Sequence, residues 1–384
     1  MDTFSNSDLR RLTGAPQGPC VSIFMPTHTA GPDGQQDTLR LKNLLVQAER
    51  GLIDRGVRAP EAKKLLDPVR DLPAEHEFWE KRSRGLAVFV TEGMWSRFRV
   101  PLLLLESVVV NQRFQVKPLL PLIGVNDQYF VLALSQNRVR LLEGRQFSMS
   151  ELRVDGLPRD MAQALNYDAS QRPMLAHVTA RNQPGKGSAV VYGMGGEREL
   201  AKEDLAQYFR VIDGALREPL RDQRAPLILA GVQYLLPIYR EVSGYSHLAD
   251  EELAGNPDHL SEHELHARTW PLIRARQEQT RQEAVAKYRK LAGTGKTLDD
   301  LHRIVPAAQQ GQIDSLFVDR TAHRWGLFDA ATGDVTVRSS ATPERGDDDL
   351  LDYAAVETLL HRGVVYAVAA DENPAPPAAA LLRY

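Results

Sequence analysis

S-A-V-V-Y-G-M-G-G-E-R-E-L-A-K-E-D-L-A-Q-Y-F-R-V-I-D-G-A-L, Ser188 to Leu216, is the stretch whose reading decides the fold. Ala189 to Tyr192 is a short β-branched and aromatic run, which reads as a buried strand. Leu205, Tyr208, Phe209, Ile212 and Leu216 then recur at helical spacing, so the spacing predicts an amphipathic helix. Between them lie Gly193, Gly195 and Gly196, residues that tolerate positive φ and close approach of a partner to the backbone. The pattern is a strand passing through a glycine-rich loop into a helix.

Three readings of that loop compete. A dinucleotide fingerprint needs glycine where Arg198 stands and an acidic residue closing a following strand, and neither is present. A plain strand-to-helix turn is the second reading. The third is an extended loop that meets nucleic acid: Arg172, Arg181, Lys186, Arg198 and Lys202 outnumber Glu197 and Glu199, and N-Q-P-G-K-G-S, Asn182 to Ser188, has the composition of a mobile tip.

Working outward, the N-terminal part offers a strand over Val21 to Met25, a turn P-T-H-T-A-G-P-D-G, and a helix marked by Leu41, Leu44, Leu45, Ala48 and Leu52. Gly85 to Val90, Phe98 to Leu105 and Val108 to Val116 supply further strands, and Pro118 and Pro121 punctuate the end. Y-F-V-L-A-L-S-Q-N-R-V-R-L-L-E-G, Tyr129 to Gly144, reads as a hairpin, and P-L-I-L-A-G-V, Pro226 to Val232, as a strand buried on both faces. Helical periodicity returns from Ser261 to Leu291, with Ile273, Thr280, Ala284, Tyr288 and Leu291 on one face. Beyond it come a helix marked by Leu298, Leu301, Ile304 and Val305, a strand Ile313 to Val318, and a hairpin turning at Thr332 to Asp334. An acidic loop, Asp347 to Asp349, precedes a helix that begins near Leu350, and strands over Val364 to Val368 and Ala378 to Tyr384 close the chain. The expected class is α/β (α+β) in three domains, 1–122, 123–292 and 293–384.

Composition bounds the function. The 384 residues, 43% hydrophobic and 25% charged, describe a folded protein of more than one core. A net charge of -3 excludes bulk electrostatic coating of nucleic acid, so RNA contacts have to come from local patches. Cys20 is the single cysteine, which excludes an internal disulfide and a cysteine cluster for a metal. The N-terminus lacks an apolar signal core and no run approaches the ~20 apolar residues of a membrane span, so a cytoplasmic protein without membrane or DNA partners is expected.

Two motifs are set aside on context. His259-Leu260-Ser261-Glu262-His263 satisfies H-x-x-E-H, but Ser261 with Glu264 forms a capping box that starts the helix after His259. Gly293 to Thr297 resembles the end of a P-loop, yet Lys290 replaces its first glycine and a helix precedes it. His28 and Ser22 flank no evident acid or base for a nucleophilic triad. No metal and no cofactor are expected.

The order of units and the residues themselves resemble the bacterial release-factor-like proteins related to the archaeal and eukaryotic peptide-chain release factor and Pelota. The Tyr129 to Gly144 hairpin, the segment from Val191 to Leu216 and Pro226 to Val232 are similar to that family's middle domain. Q-G-Q-I-D-S-L-F-V, Gln310 to Val318, D-L-L-D-Y-A-A-V-E-T-L-L-H-R-G-V-V-Y-A-V, Asp349 to Val368, and the ending A-A-A-L-L-R-Y are similar to its C-terminal domain. The resemblance implies a ribonuclease-H-like middle domain and a C-terminal α/β sandwich of the kind shared with kink-turn-binding ribosomal proteins.

In release factors the middle-domain loop carries Gly-Gly-Gln, whose glutamine helps place water at the peptidyl-tRNA ester. Gly195-Gly196-Glu197 stands at that place, and a carboxylate lacks the amide donor and adds negative charge near RNA. The N-terminal part shows no Asn-Ile-Lys-Ser motif, so stop-codon reading does not carry over. What the resemblance implies is a ribosome-associated A-site factor in rescue or hibernation, with no catalytic residue. Its partners would be the ribosome, ribosomal RNA or tRNA, and a delivery GTPase. The contact candidates are Arg181, Lys186, Gly193, Gly195, Gly196, Glu197, Arg198 and Lys202. The rivals are a peptidyl-tRNA hydrolase with Glu197 as base, and an RNA-binding or oligomeric scaffold without ribosome contact.

Overall fold

The computed structural model describes residues 4–14, 18–28, 34–80, 83–123, 128–165, 194–340 and 342–384. The protein is a mixed α/β chain that divides into two compact units, one made of Met1–Val125 with Glu278–Tyr384 and the other of Asn126–Gln277.

The Asn126–Gln277 unit is built on one sheet of five strands. Their order is Ser148–Leu152, Val139–Arg145, Tyr129–Leu134, Leu227–Gly231 and Leu248–Ala254. The first three pair antiparallel, and the last two continue the sheet in parallel. Alternation along Tyr129–Leu134 explains its two cores. Phe130, Leu132 and Leu134 meet Leu205, Phe209 and Ile212 of the helix Met194–Leu220, together with Leu235 and Tyr239 of the helix Leu235–Val242. Tyr129, Val131 and Ala133 face the other way, with Leu265 and Ile273 of the helix Glu262–Leu291. Leu227–Gly231 is wholly buried between these layers, as an unbroken apolar strand requires. Gly144 is needed here because a Cβ would sit 2.3 Å from the Tyr129 ring.

The other unit holds two larger sheets. Met94–Val100, Gly85–Thr91, Cys20–Pro26 and Ser107–Asn111 lie side by side, all antiparallel. One face carries Val21, Ile23, Met25 and Val88 against Leu41, Leu44, Ala48 and Leu52 of the helix Gly34–Asp54. The opposite face carries Phe24, Ala87, Phe89 and Phe98, and the residues that cover it include Phe114, Leu119 and Val356. Val356 belongs to the C-terminal helix Leu350–Leu360, which is how the two ends of the chain share a core.

The C-terminal sheet runs Thr297–Leu298, Ala378–Leu382, Ile313–Asp319 and Val364–Val368, with only the last pair parallel. Helices Leu301–Gln309 and Leu350–Leu360 pack on one face through Ile304, Val305, Leu351 and Ala354. Tyr288, near the end of the long helix, packs on the other beside Phe317 and Leu381.

Several boundaries differ from the sequence reading. The strand expected over Phe98 to Leu105 runs Met94–Val100, because Pro101 has no N–H with which to continue the ladder. Val108 to Val116 forms a strand only over Ser107–Asn111, and Lys117–Leu122 turns instead into a 3-10 helix. Leu298 is a strand residue, since Asp300 caps the following helix by accepting from His302 N and the helix starts at Leu301.

Candidate functional site

The helix of the deciding stretch runs Met194–Leu220, so Gly195, Gly196, Glu197 and Arg198 lie on its first turns, where the sequence reading placed a loop. Arg181, Lys186 and Gly193 lie outside the described residues, as does the strand expected over Ala189 to Tyr192. Lys202 is exposed and sits 3.8 Å from Glu241, a pair too solvated to fix either side chain. What holds the helix is its buried face. Tyr208 donates to the Ser135 carbonyl at 3.1 Å, and Phe209 meets Tyr239 edge-on at 5.6 Å.

Ser261 does form the predicted capping box. Its Oγ accepts from Glu264 N at 3.3 Å while Glu264 accepts from Ser261 N at 2.9 Å, and His259 stays outside the helix. Gly293 and Gly295, at φ 77° and 81°, turn the chain after that helix ends at Leu291. This is the helix terminus that the residues after Lys290 suggested.

Two charged constellations emerge that the sequence did not announce. His28 has an acid partner after all: Asp37, on the helix Gly34–Asp54, accepts from His28 N at 2.8 Å and lies 2.8 Å from His28 Nδ1. Arg40 donates to the same carboxylate at 3.1 Å and pairs with Glu106 at 3.0 Å. Ser22 belongs elsewhere, buried in its strand and accepting from Gln115 N at 3.0 Å. The pair orients an imidazole but meets no nucleophile at Ser22, so the triad set aside from sequence is not assembled there.

The second constellation is buried. Lys117, 1% exposed, donates to Asp349 Oδ2 at 2.7 Å and to the Ala322 carbonyl. His323 Nδ1 lies 2.8 Å from the same Asp349 oxygen, with its ring stacked on Trp325 at 5.3 Å. Asp349 Oδ1 accepts from the backbone of Arg324 and of Leu351, each at 3.2 Å. One turn further on, Asp352 Oδ1 accepts from Val116 N at 2.8 Å and from Lys117 N.

These neighbours push the two carboxyls apart. Burial raises Asp349, but the hydrogen bond from His323 and the charge of Lys117 more than reverse it, leaving the group below its usual range. Burial, aided by the negative charge of Asp349, pushes Asp352 up to about 7 against the pull of Lys117 and two backbone N–H groups. The acidic run Asp347 to Asp349, read from sequence as a solvated helix start, is therefore partly an interior lock. Its cation comes from a residue 232 positions away in the chain.

Residues 128–312 match bacterial archaeo-eukaryotic release factor family 3. Among curated proteins nothing matches the chain. Solved structures similar to it include the archaeal translation termination factor aRF1, at 14% identity, covering 99% of each chain, with a TM-score of 0.23. A ribosome-bound archaeal Pelota, solved with ABCE1, is 12% identical over 98% of this chain and 94% of its own, with a TM-score of 0.37. Dom34 of S. cerevisiae, described as a translation termination-like factor that interacts with Hbs1, is 10% identical over 78% of this chain and 79% of its own, with a TM-score of 0.34. Scores this low carry no argument about shape. Residues 128–312 contain the whole five-stranded sheet and the helices on both its faces, and it is through them that the chain is matched to bacterial archaeo-eukaryotic release factor family 3, the relationship that the sequence resemblance implied.

Proposed function

We propose that the protein is a ribosome-associated, release-factor-like factor that acts at the A site in rescue or hibernation without reading stop codons. The match of residues 128–312 to that family carries the reading. The five-stranded sheet, three antiparallel strands continued by two parallel ones and covered on both faces, supports a ribonuclease-H-like middle domain. In this reading the chain has three domains, 1–122, 123–292 and 293–384, of which the first and third share a core. The segment from Arg181 to Lys202 reaches toward the peptidyl-transferase centre, and Arg181, Lys186, Arg198 and Lys202 meet RNA phosphates. Gly195-Gly196-Glu197 serves contact and not hydrolysis, because a glutamate cannot donate the amide hydrogen bond of the family glutamine. A cytoplasmic location follows from such a role, and no helix among the described residues is long and apolar enough to cross a membrane.

Sucrose-gradient fractionation at rising salt tests this. The protein is expected to travel with ribosomes at low salt and to leave them as salt rises, because each phosphate contact releases counterions. A protein that stays at the top of the gradient with vacant, stalled and stationary-phase ribosomes alike would falsify the reading. Glu197→Gln restores the family residue, and a gain of peptidyl-tRNA release in that variant places the loop in the family's pose.

A further inference from the structure

Within the Met1–Val125 and Glu278–Tyr384 unit lies a cavity of about 400 Å³. Phe114, Tyr353 and Val356 give it apolar walls, and Asp348, Asp349 and Asp352 give it carboxylates. Two of the three are accounted for. Asp349 holds Lys117, and Asp352 holds the backbone of Val116 and Lys117. Asp348 differs, because its Oδ1 is shut from solvent with no hydrogen-bond partner among the described residues. Arg113 also lines the cavity, but it is committed to Glu357 at 3.3 Å and to the Tyr353 ring at 4.7 Å. A buried carboxylate oxygen without a donor is unfavourable, and a ligand that brought a positive donor would relieve it.

The volume is that of a small-molecule site and far exceeds a single water or metal ion. Among the described residues no trio of His, Cys, Asp or Glu could hold a metal. Aromatic walls beside a carboxylate instead suit an organic cation.

We propose that this cavity binds a small organic cation, an ammonium or guanidinium group on an apolar body, with Asp348 as its counter-charge and Phe114 and Tyr353 as its walls. The site is independent of any ribosome contact.

Isothermal titration of the full chain with benzylamine, and with benzyl alcohol as the uncharged partner of the same shape, tests the assignment. Benzylamine is expected to bind saturably at one site and at least about tenfold more tightly than the alcohol, the size of one charge-assisted hydrogen bond. Asp348→Asn should erase that preference, and Val356→Trp, which fills the cavity, should abolish binding of both compounds. No saturable benzylamine binding, equal affinity for the two compounds, or a preference that survives Asp348→Asn overturns the proposal. The comparison of the two compounds on the native chain needs no variant, so it decides the matter even where a substituted chain does not fold.

Discussion

The two compact units are held together by different physics. In Asn126–Gln277 both faces of the sheet are closed by aliphatic and aromatic side chains, and the buried Arg140 donates to neutral carbonyls of Pro257 and Leu260 at 2.8 and 3.0 Å. In the other unit, the segment around Lys117 is joined to the C-terminal helix by a buried ion pair and a second carboxylate as well as by apolar contact. An apolar face degrades by degrees when a methylene is lost. A buried ion pair fails at once when one partner goes, because the other is left charged and dry. Tolerance to substitution should therefore differ sharply between the units.

Lys117→Met is the largest test of that difference. It is expected to destabilise the first unit by about 3–5 kcal/mol, because Asp349 loses its cation while remaining buried. Chemical denaturation followed through Trp325, which stacks on His323, reports the loss locally. Adding Asp349→Asn should recover part of it. A loss below about 1 kcal/mol would mean that apolar packing alone joins the two ends of the chain.

That contrast also explains what could be read from the residues. Apolar periodicity is a local signal, so the hairpin at Tyr129, the strand at Pro226 and the helix of Leu205 to Leu216 were legible, and their predicted core residues are buried. The capping box at Ser261 was legible for the same reason, since its two residues lie three apart. Lys117 beside two prolines and Asp349 inside an acidic run carry no such signal, because their pairing exists only once distant segments meet. Asp352 could have been suspected: it is the one charged residue in L-L-D-Y-A-A-V, a stretch apolar on every side and therefore buried. His28 and Asp37 were separated in the reading by a glycine-rich turn, and nothing local says that the turn brings them together. The candidate contact residues were the least testable, because they cluster where Arg181, Lys186 and Gly193 lie outside the described residues.

The ionic joint should also respond to pH in a way the apolar unit does not. Asp352 sits at about 7 in the folded chain against an ordinary value of 3.8, so the native state holds its proton better than the unfolded one. That contribution is complete below the unfolded value and is lost as pH rises through about 7. Asp348, pushed up by burial to about 6, acts with the same sign. Stability of the first unit is therefore expected to fall between about pH 4 and 7, and Asp352→Asn should flatten the fall by about 1–4 kcal/mol. Denaturant midpoints across that range, with and without the substitution, measure it. Parallel curves would show that Asp352 does not set the slope.

A smaller effect belongs to the apolar unit. Ser261→Ala removes the cap of the helix Glu262–Leu291 and is expected to lower stability by about 1 kcal/mol. Amide hydrogen exchange should quicken in the first turn of that helix while the sheet stays protected. Exchange that quickens across Tyr129–Leu134 as well would mean that the cap holds more than its own turn, and the two units would then be less different in cooperativity than proposed.

The smallest expected change in stability is the most informative about function. Gly195 and Gly196 lie on the first turns of the helix Met194–Leu220, and glycine within a helix is less favourable than alanine by about 0.5–1 kcal/mol. Changing both to alanine should therefore leave the melting temperature unchanged or raise it slightly. If these positions are glycine so that backbone can approach RNA, the same substitution should weaken travel with ribosomes, because two methyl groups now stand where the partner must come close. Stability and binding would then move in opposite directions, which no general damage to the fold can produce. A drop in melting temperature would instead show that the glycines serve a backbone conformation outside the helix. Unchanged ribosome binding in a stable variant would remove Gly195 and Gly196 from the contact surface and leave the charged residues to carry it.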